Sequence, residues 1–320
     1  GCGMYTVALG NADVDLPKID RIVHDIPSGF NVREKPVYNF DLTALRCYEH
    51  LVNTDRIKCS MGTLGGGNHF IEIARAPWGT KFLVIHTGSR NLGKQVAEYY
   101  QNLAIERKED ENKRKREYFI RALKAAGEES KIEENLKTLK EEKIDGDLCY
   151  LSGKDFNDYL YDMEICQEFA RKNRETIAEI ITGEAGLNYV EAFHTIHNYI
   201  DTENLILRKG AVAAYKDQRL IIPLNMRDGS IFAVGKGNPR WNYSAPHGAG
   251  RLMSRKKARE NLSLEEFEKE MSDVYSTSIK ESTLDESPMA YKSMEDILSC
   301  VGETVNIVGI IKPIYNFKAS

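Results

Sequence analysis

No apolar run in this 320-residue chain approaches the roughly 20 residues that a membrane-spanning helix needs, so none of its segments reads as one. Paired cysteines are also missing. The six cysteines, at positions 2, 47, 59, 149, 166 and 300, include no C-x-x-C spacing, which points to free thiols in a reducing, cytoplasmic setting. Charge of one sign is scarce: 44 Lys and Arg against 48 Asp and Glu leave a net charge of −4. That balance argues against a general nucleic-acid coat but allows a local basic site. There is no G-x-G-x-x-G fingerprint, no internal repeat and no basic start leading into an apolar leader. The chain opens Gly1-Cys-Gly-Met4, without an initiator methionine and with Cys2 in mid-motif, so its N-terminus reads as truncated.

What the chain does have is chemistry placed at turns. Residues 1–16 read as a strand and turn. Gly65-Gly-Gly-Asn-His69 runs into a strand over 69–73, where period two puts Asn68, Phe70 and Glu72 on one face and His69 at its mouth. An amide and a carboxylate two positions apart on one face can read a polar ring or ribose; the plainer alternative is a strand with an exposed glutamate. A buried run over 82–85 delivers His86 into the turn Thr87-Gly-Ser-Arg90, and a helix starts near Lys94. Residues 94–182 read as helical; their most highly charged part runs from Glu106 to Lys143 with a thin apolar stripe (Phe119, Leu123, Leu136, Leu139). Leu187–Ile200 reads as a helix whose inner stripe is Val190, Phe193, His197 and Ile200. A β-meander is expected over 204–234, and a final strand over 305–311.

Cys2, His69, His86 and His197 are thus one thiol and three imidazoles on a glycine turn, two strand ends and an inward face. That donor set suits a borderline divalent ion such as Mn²⁺, Zn²⁺, Co²⁺ or Ni²⁺, and a thiolate can bridge two ions. A further histidine, His247, stands on a Pro-His-Gly-Ala-Gly turn with Arg240, Arg251 and Arg255 around it. Taken alone, a loop histidine of this kind more often makes a structural hydrogen bond; among arginines it also suits a nucleophile facing phosphate.

Several longer stretches, in order, resemble one family. Gly-Cys-Gly-Met (1–4), Gly-Gly-Gly-Asn-His-Phe-Ile-Glu (65–72), His-Thr-Gly-Ser-Arg (86–90), His-Asn-Tyr (197–199), Arg-Lys-Gly-Ala (208–211), His-Gly-Ala-Gly-Arg (247–251) and Asp-Glu-Ser-Pro-x-Ala-Tyr-Lys (285–292) are similar to the RtcB family of tRNA-splicing and RNA-repair ligases. The resemblance implies an α+β fold over 1–320: one large domain of mixed or antiparallel sheet around a metal centre, with a charged helical insertion at about 101–182. It implies a ligase dependent on GTP and two Mn²⁺ ions, joining an RNA 2′,3′-cyclic phosphate or 3′-phosphate end to a 5′-hydroxyl end, with an archease-like activator among its partners. By motif, His247 would carry the guanylate and Cys2, His69, His86 and His197 would hold the metals. Asn68, Glu72, Asn225, Ser230, Tyr291 and Lys318, with Gly248, Ala249 and Gly250, fall where the family contacts the nucleotide. Arg90 and Arg255 fall at RNA or phosphate.

Two departures stand out. The family's aspartate metal ligand, three residues before the cysteine, would precede Gly1. The family's Pro-Gly-Ser-Met-Gly stretch is here Pro223-Leu-Asn-Met-Arg-Asp-Gly229, as in a divergent branch devoted to repair. The rival readings are a metal-dependent phosphodiesterase or phosphatase acting on RNA or nucleotides, which leaves His247 without a role, and a non-catalytic RNA- or nucleotide-binding remnant.

Overall fold

The structure, a computed structural model, describes residues 1–133, 136 and 144–319; Leu139 of the expected apolar stripe and Lys143 lie outside the described residues. Its centre is an eight-stranded sheet in which every neighbouring pair is antiparallel. The strands are β1 (Cys2–Gly10), β2 (Phe70–Arg75), β3 (Lys81–Thr87), β4 (Glu191–Asp201), β5 (Ile206–Lys209), β7 (Arg219–Asn225), β8 (Gly229–Gly235) and β10 (Val305–Lys318). Their order is β5-β4-β1-β3-β2-β10-β8-β7, while β6 (Ala211–Ala213) and β9 (Ser244–Pro246) form a separate pair.

Period two sorts the sheet's residues onto two faces. Val7, Ile71, Ile73, Leu83, Ile85 and Phe317 point to one side and join a core with helices α1 (Leu16–His24) and α4 (Gly153–Ala185). Met4, Ala8, Phe70, Ala74, Phe82 and Val84 point to the other. That second face is apolar at one end only. Continuing each alternation toward the far end puts Glu72, His86 and Lys318 on it, and there the sheet lines a cavity.

The helices show which parts of the charged region belong to the core. The short α2 (Thr54–Cys59) buries Ile57. In α3 (Arg90–Ala125) the buried residues are Leu92, Val96, Tyr100 and Ala104, a four-residue repeat confined to its first half. The second half has no buried residue. In α4, Phe169, Ile177 and Ile181 are fully buried, so the later part of the 101–182 stretch packs on the sheet and the first core cluster rather than standing outside it. Two short helices, α5 (Arg255–Asn261) and α6 (Leu264–Glu270), follow the His247 turn, and α7 (Met294–Val301) precedes the last strand.

Three expectations are corrected. The segment expected as a helix over 187–200 is strand β4: α4 already ends at Gly186, whose φ of 74° breaks the helix. A spacing of four is even, so Phe193 and His197 share a face in a strand as well as in a helix, and the aromatic and β-branched residues favour the strand. The 204–234 meander is split: β5 pairs with β4 at one edge of the sheet, β7 and β8 lie at the other, and β6 leaves to pair with β9. The last strand continues past Pro313 to Lys318, because the proline sits at a register shift where no ladder donor is needed.

Candidate active site

Three adjacent strands bring the thiol and two of the imidazoles together. Cys2 on β1, His86 at the end of β3 and His197 on β4 place one ligand atom each within 4.8 Å of one another. Cys2 Sγ is 3.4 Å from His86 Nε2, and His86 Nε2 is 2.9 Å from His197 Nε2. Gly3 makes this approach possible, because a Cβ there would stand 2.6 Å from the Thr195 carbonyl oxygen of β4. His69 reaches the group from one side only: its Nε2 lies 3.4 Å from the Cys2 sulfur but outside the mutual cluster of three.

Backbone carbonyls fix the rings. His69 Nδ1–H donates to Leu64 O at 2.8 Å and His86 Nδ1–H to Asn68 O at 3.2 Å, which leaves each Nε2 as the lone-pair nitrogen turned to the thiol. His197 then donates through Nε2 to His86, and its Nδ1 is buried with no partner. Burial, followed by the charge of Arg90, pulls His69 down to about 4. Burial, followed by His247, pulls His197 down to about 3, and burial lowers His86 well below its ordinary value. Burial also pushes the Cys2 thiol up. Neutral imidazoles and a thiol in one dry cluster are the donors a borderline divalent ion takes.

His247 follows β9, which is held against β6 by the Ala211–Pro246 pairing, and its ring centroid lies 4.9 Å from that of His197. The Ala249 N–H donates to Pro223 O at 3.1 Å and anchors the glycine turn after it. A cavity of about 260 Å³ opens here. It runs from His86 and His197 past His247, Gly248, Ala249 and Gly250 to Glu72 and Lys318.

The far end is organised by a residue that sequence reasoning did not single out. Glu286 Oε2 accepts from Lys318 Nζ at 2.8 Å and from Tyr291 Oη at 2.7 Å, while its Oε1 lies 2.9 Å from Arg255 Nη1 and 3.4 Å from Arg251 Nη1. Burial raises the Glu286 carboxyl, but Lys318, Tyr291 and Arg255 outweigh it and hold the group below its ordinary value. Asn68, Ser230 and Tyr291 also line the cavity, and Asn225 lines it with an amide already bonded to Asp228 and to the turn's N–H groups. Arg255 stands at the rim, paired to Asp285 and Glu286. Arg90 is not brought in. Its φ is 54°, its guanidinium donates to Thr63 Oγ1 and Gly29 O, and it braces the Gly65 turn behind His69.

Asn316 was the second residue missed. It pairs across the ladder with Glu72, and its Nδ2 donates to Glu72 Oε2 at 2.8 Å. Its signal was period two from Lys318, hidden by ending the strand before Pro313. Glu286 lay inside the 285–292 motif, but nothing in that motif said which side chain would be central.

Glu72 is not the exposed strand glutamate of the plainer reading; it is 2% exposed. Burial lifts its carboxyl to about 8, against the Asn316 hydrogen bond and the Lys318 charge. A group that ionises at 4.5 ordinarily and near 8 when folded costs stability progressively as pH rises between those values. Glu72→Gln is therefore expected to melt several degrees above wild type near pH 8 without ligand, with the gap closing toward pH 4.5. Thermal unfolding at the two pH values checks this.

Fold and site together define an α+β protein with a candidate metal centre that opens onto a cavity with charged and polar groups at its far end. The family described as tRNA-splicing ligase RtcB matches residues 46–319, and the chain belongs to the RtcB family. It is 30% identical over 290 residues to RNA-splicing ligase RtcB of Escherichia coli K12, a match covering 85% of this chain and 64% of that protein. It is 30% identical over 361 aligned positions to RNA-splicing ligase RtcB1 of another Escherichia coli strain, covering 99% and 81%. The tRNA-splicing ligase RtcB of Nanoarchaeum equitans is 29% identical over 297 residues, covering 82% and 59%. The chain thus spans a little under two thirds of the K12 protein. No described helix is long and apolar enough to cross a membrane.

Proposed function

We propose that this chain joins RNA ends, sealing a 2′,3′-cyclic phosphate or 3′-phosphate end to a 5′-hydroxyl end with GTP and Mn²⁺, in the cytoplasm and with an archease-like activator as partner. The observation that carries this reading is the place of His247: its ring lies 4.9 Å from that of His197, on a cavity that continues to Glu72 and Lys318. Cys2, His86 and His197, with His69 beside the thiol, would hold the manganese. When bound, the ions would neutralise triphosphate charge and orient the leaving pyrophosphate.

His247 supplies the nucleophile, since a neutral imidazole nitrogen has its lone pair available near neutral pH. It bonds to the α-phosphorus of GTP as the bond to pyrophosphate breaks. A 2′,3′-cyclic end is first opened by water, which breaks the P–O2′ bond and leaves a 3′-phosphate; the guanylate then passes to that 3′-phosphate, and the 5′-hydroxyl displaces GMP to form the phosphodiester. Asn68, Glu72, Asn225, Ser230, Tyr291 and Lys318 are assigned to the guanylate, the 248–250 turn to its phosphate, and Arg255 at the rim to RNA. The test is incubation with two RNAs, one ending in 3′-phosphate and one beginning with 5′-hydroxyl. A joined product that needs both GTP and Mn²⁺ is expected. Metal-dependent loss of the 3′-phosphate without GTP and without joining would replace this reading with the phosphatase one.

A further inference from the structure

The acceptor end of the cavity carries an asymmetry with a consequence for base choice. Asn316 and Glu72 are cross-strand partners, 1% and 2% exposed, and both line the cavity. One hydrogen bond joins them, from Asn316 Nδ2 to Glu72 Oε2. The other oxygen of each residue, Glu72 Oε1 and Asn316 Oδ1, is buried and has no partner. A buried acceptor left without a donor is destabilising, so one on each of two paired residues that line the cavity calls for a ligand that brings two donors. The nearby ammonium does not serve, because Lys318 Nζ is held by Glu286 and Asn68 O.

Glu72 Oε2 already has the Asn316 amide, so the two oxygens left without a donor are one on each residue. A ligand that satisfies both brings one donor to Glu72 and one to Asn316. Among nucleobases, guanine presents two adjacent donors on one planar edge, its N1–H and its 2-amino group. Hypoxanthine keeps the N1–H and lacks the amine, and adenine has an acceptor at N1. We propose that Asn316 is a specificity-determining residue that accepts the 2-amino group of guanine while Glu72 Oε1 accepts the N1–H. This deepens the nucleotide reading given above and rests on it.

The test is calorimetric titration with GTP, ITP and ATP, run above pH 8 so that Glu72, raised to about 8, is ionised and Oε1 accepts. Wild type is expected to bind GTP roughly tenfold or more tighter than ITP, the worth of one buried hydrogen bond, and ATP weakest. Asn316→Leu also removes the Nδ2 bond to Glu72 and so weakens both ligands, but it should bring the GTP-to-ITP ratio down to about one while both still bind more tightly than ATP. Equal binding of GTP and ITP by wild type overturns the inference without any variant, and so does a GTP-to-ITP ratio unchanged in Asn316→Leu. Binding of none of the three by wild type overturns the nucleotide reading itself, and this inference with it.

Discussion

Replacing His247 with alanine is expected to reduce covalent labelling of the protein by α-phosphate-labelled GTP and Mn²⁺ to background, a loss of about 10³-fold or more. The label in wild type should be acid-labile, as a phosphorus–nitrogen bond is. His247 belongs neither to the mutual cluster of Cys2, His86 and His197 nor to the acceptor end, and its turn is anchored by the Ala249 backbone N–H rather than by its own ring. Metal content should therefore stay at the wild-type level in the variant. Persistent labelling of His247→Ala would move the nucleophile elsewhere. Loss of labelling together with loss of metal would leave the assignment of His247 as nucleophile without support.

The second large effect is expected at Cys2. Its sulfur is the one donor within 3.4 Å of both His69 and His86, so it joins the outlying imidazole to the cluster. Cys2→Ala should lower manganese affinity by at least about tenfold, and the Mn²⁺-induced rise in melting temperature should shrink accordingly. Metal analysis after equilibrium dialysis checks this directly. Full occupancy in the variant would show that the thiol is not a ligand.

The parts of the site legible in the sequence were those carried by strand ends and glycine turns. Cys2, His69, His86 and His247 all sit where a turn exposes backbone and a short residue lets a neighbour close in, and such places are visible in one dimension. His197 was assigned an inward face for the wrong reason. Its even spacing from Phe193 satisfies a helix and a strand alike, and only the helix-ending Gly186 separates the two. The mixed α+β sheet was legible, but its order was not: a β-meander and a split pair of edges have the same local pattern, and the choice depends on long-range partners. Glu286 and Asn316 were invisible for a related reason. Glu286 matters because Lys318, Tyr291 and Arg255 converge on it, and Asn316 because β10 lies against β2. Arg90 is assigned to RNA or phosphate by the resemblance alone; in the structure its Nε and Nη2 donate to Thr63 Oγ1 and Gly29 O, and it does not line the cavity.

β1 carries Cys2 and β10 carries Asn316 and Lys318, yet only β3 and β2 separate them in the sheet. The two ends of the cavity thus join strands that lie about three hundred residues apart in sequence, and contacts of such separation are slow to form. Neither end is complete until both strands have entered the sheet, so the cavity is expected to take shape late in folding, after the local helices and hairpins.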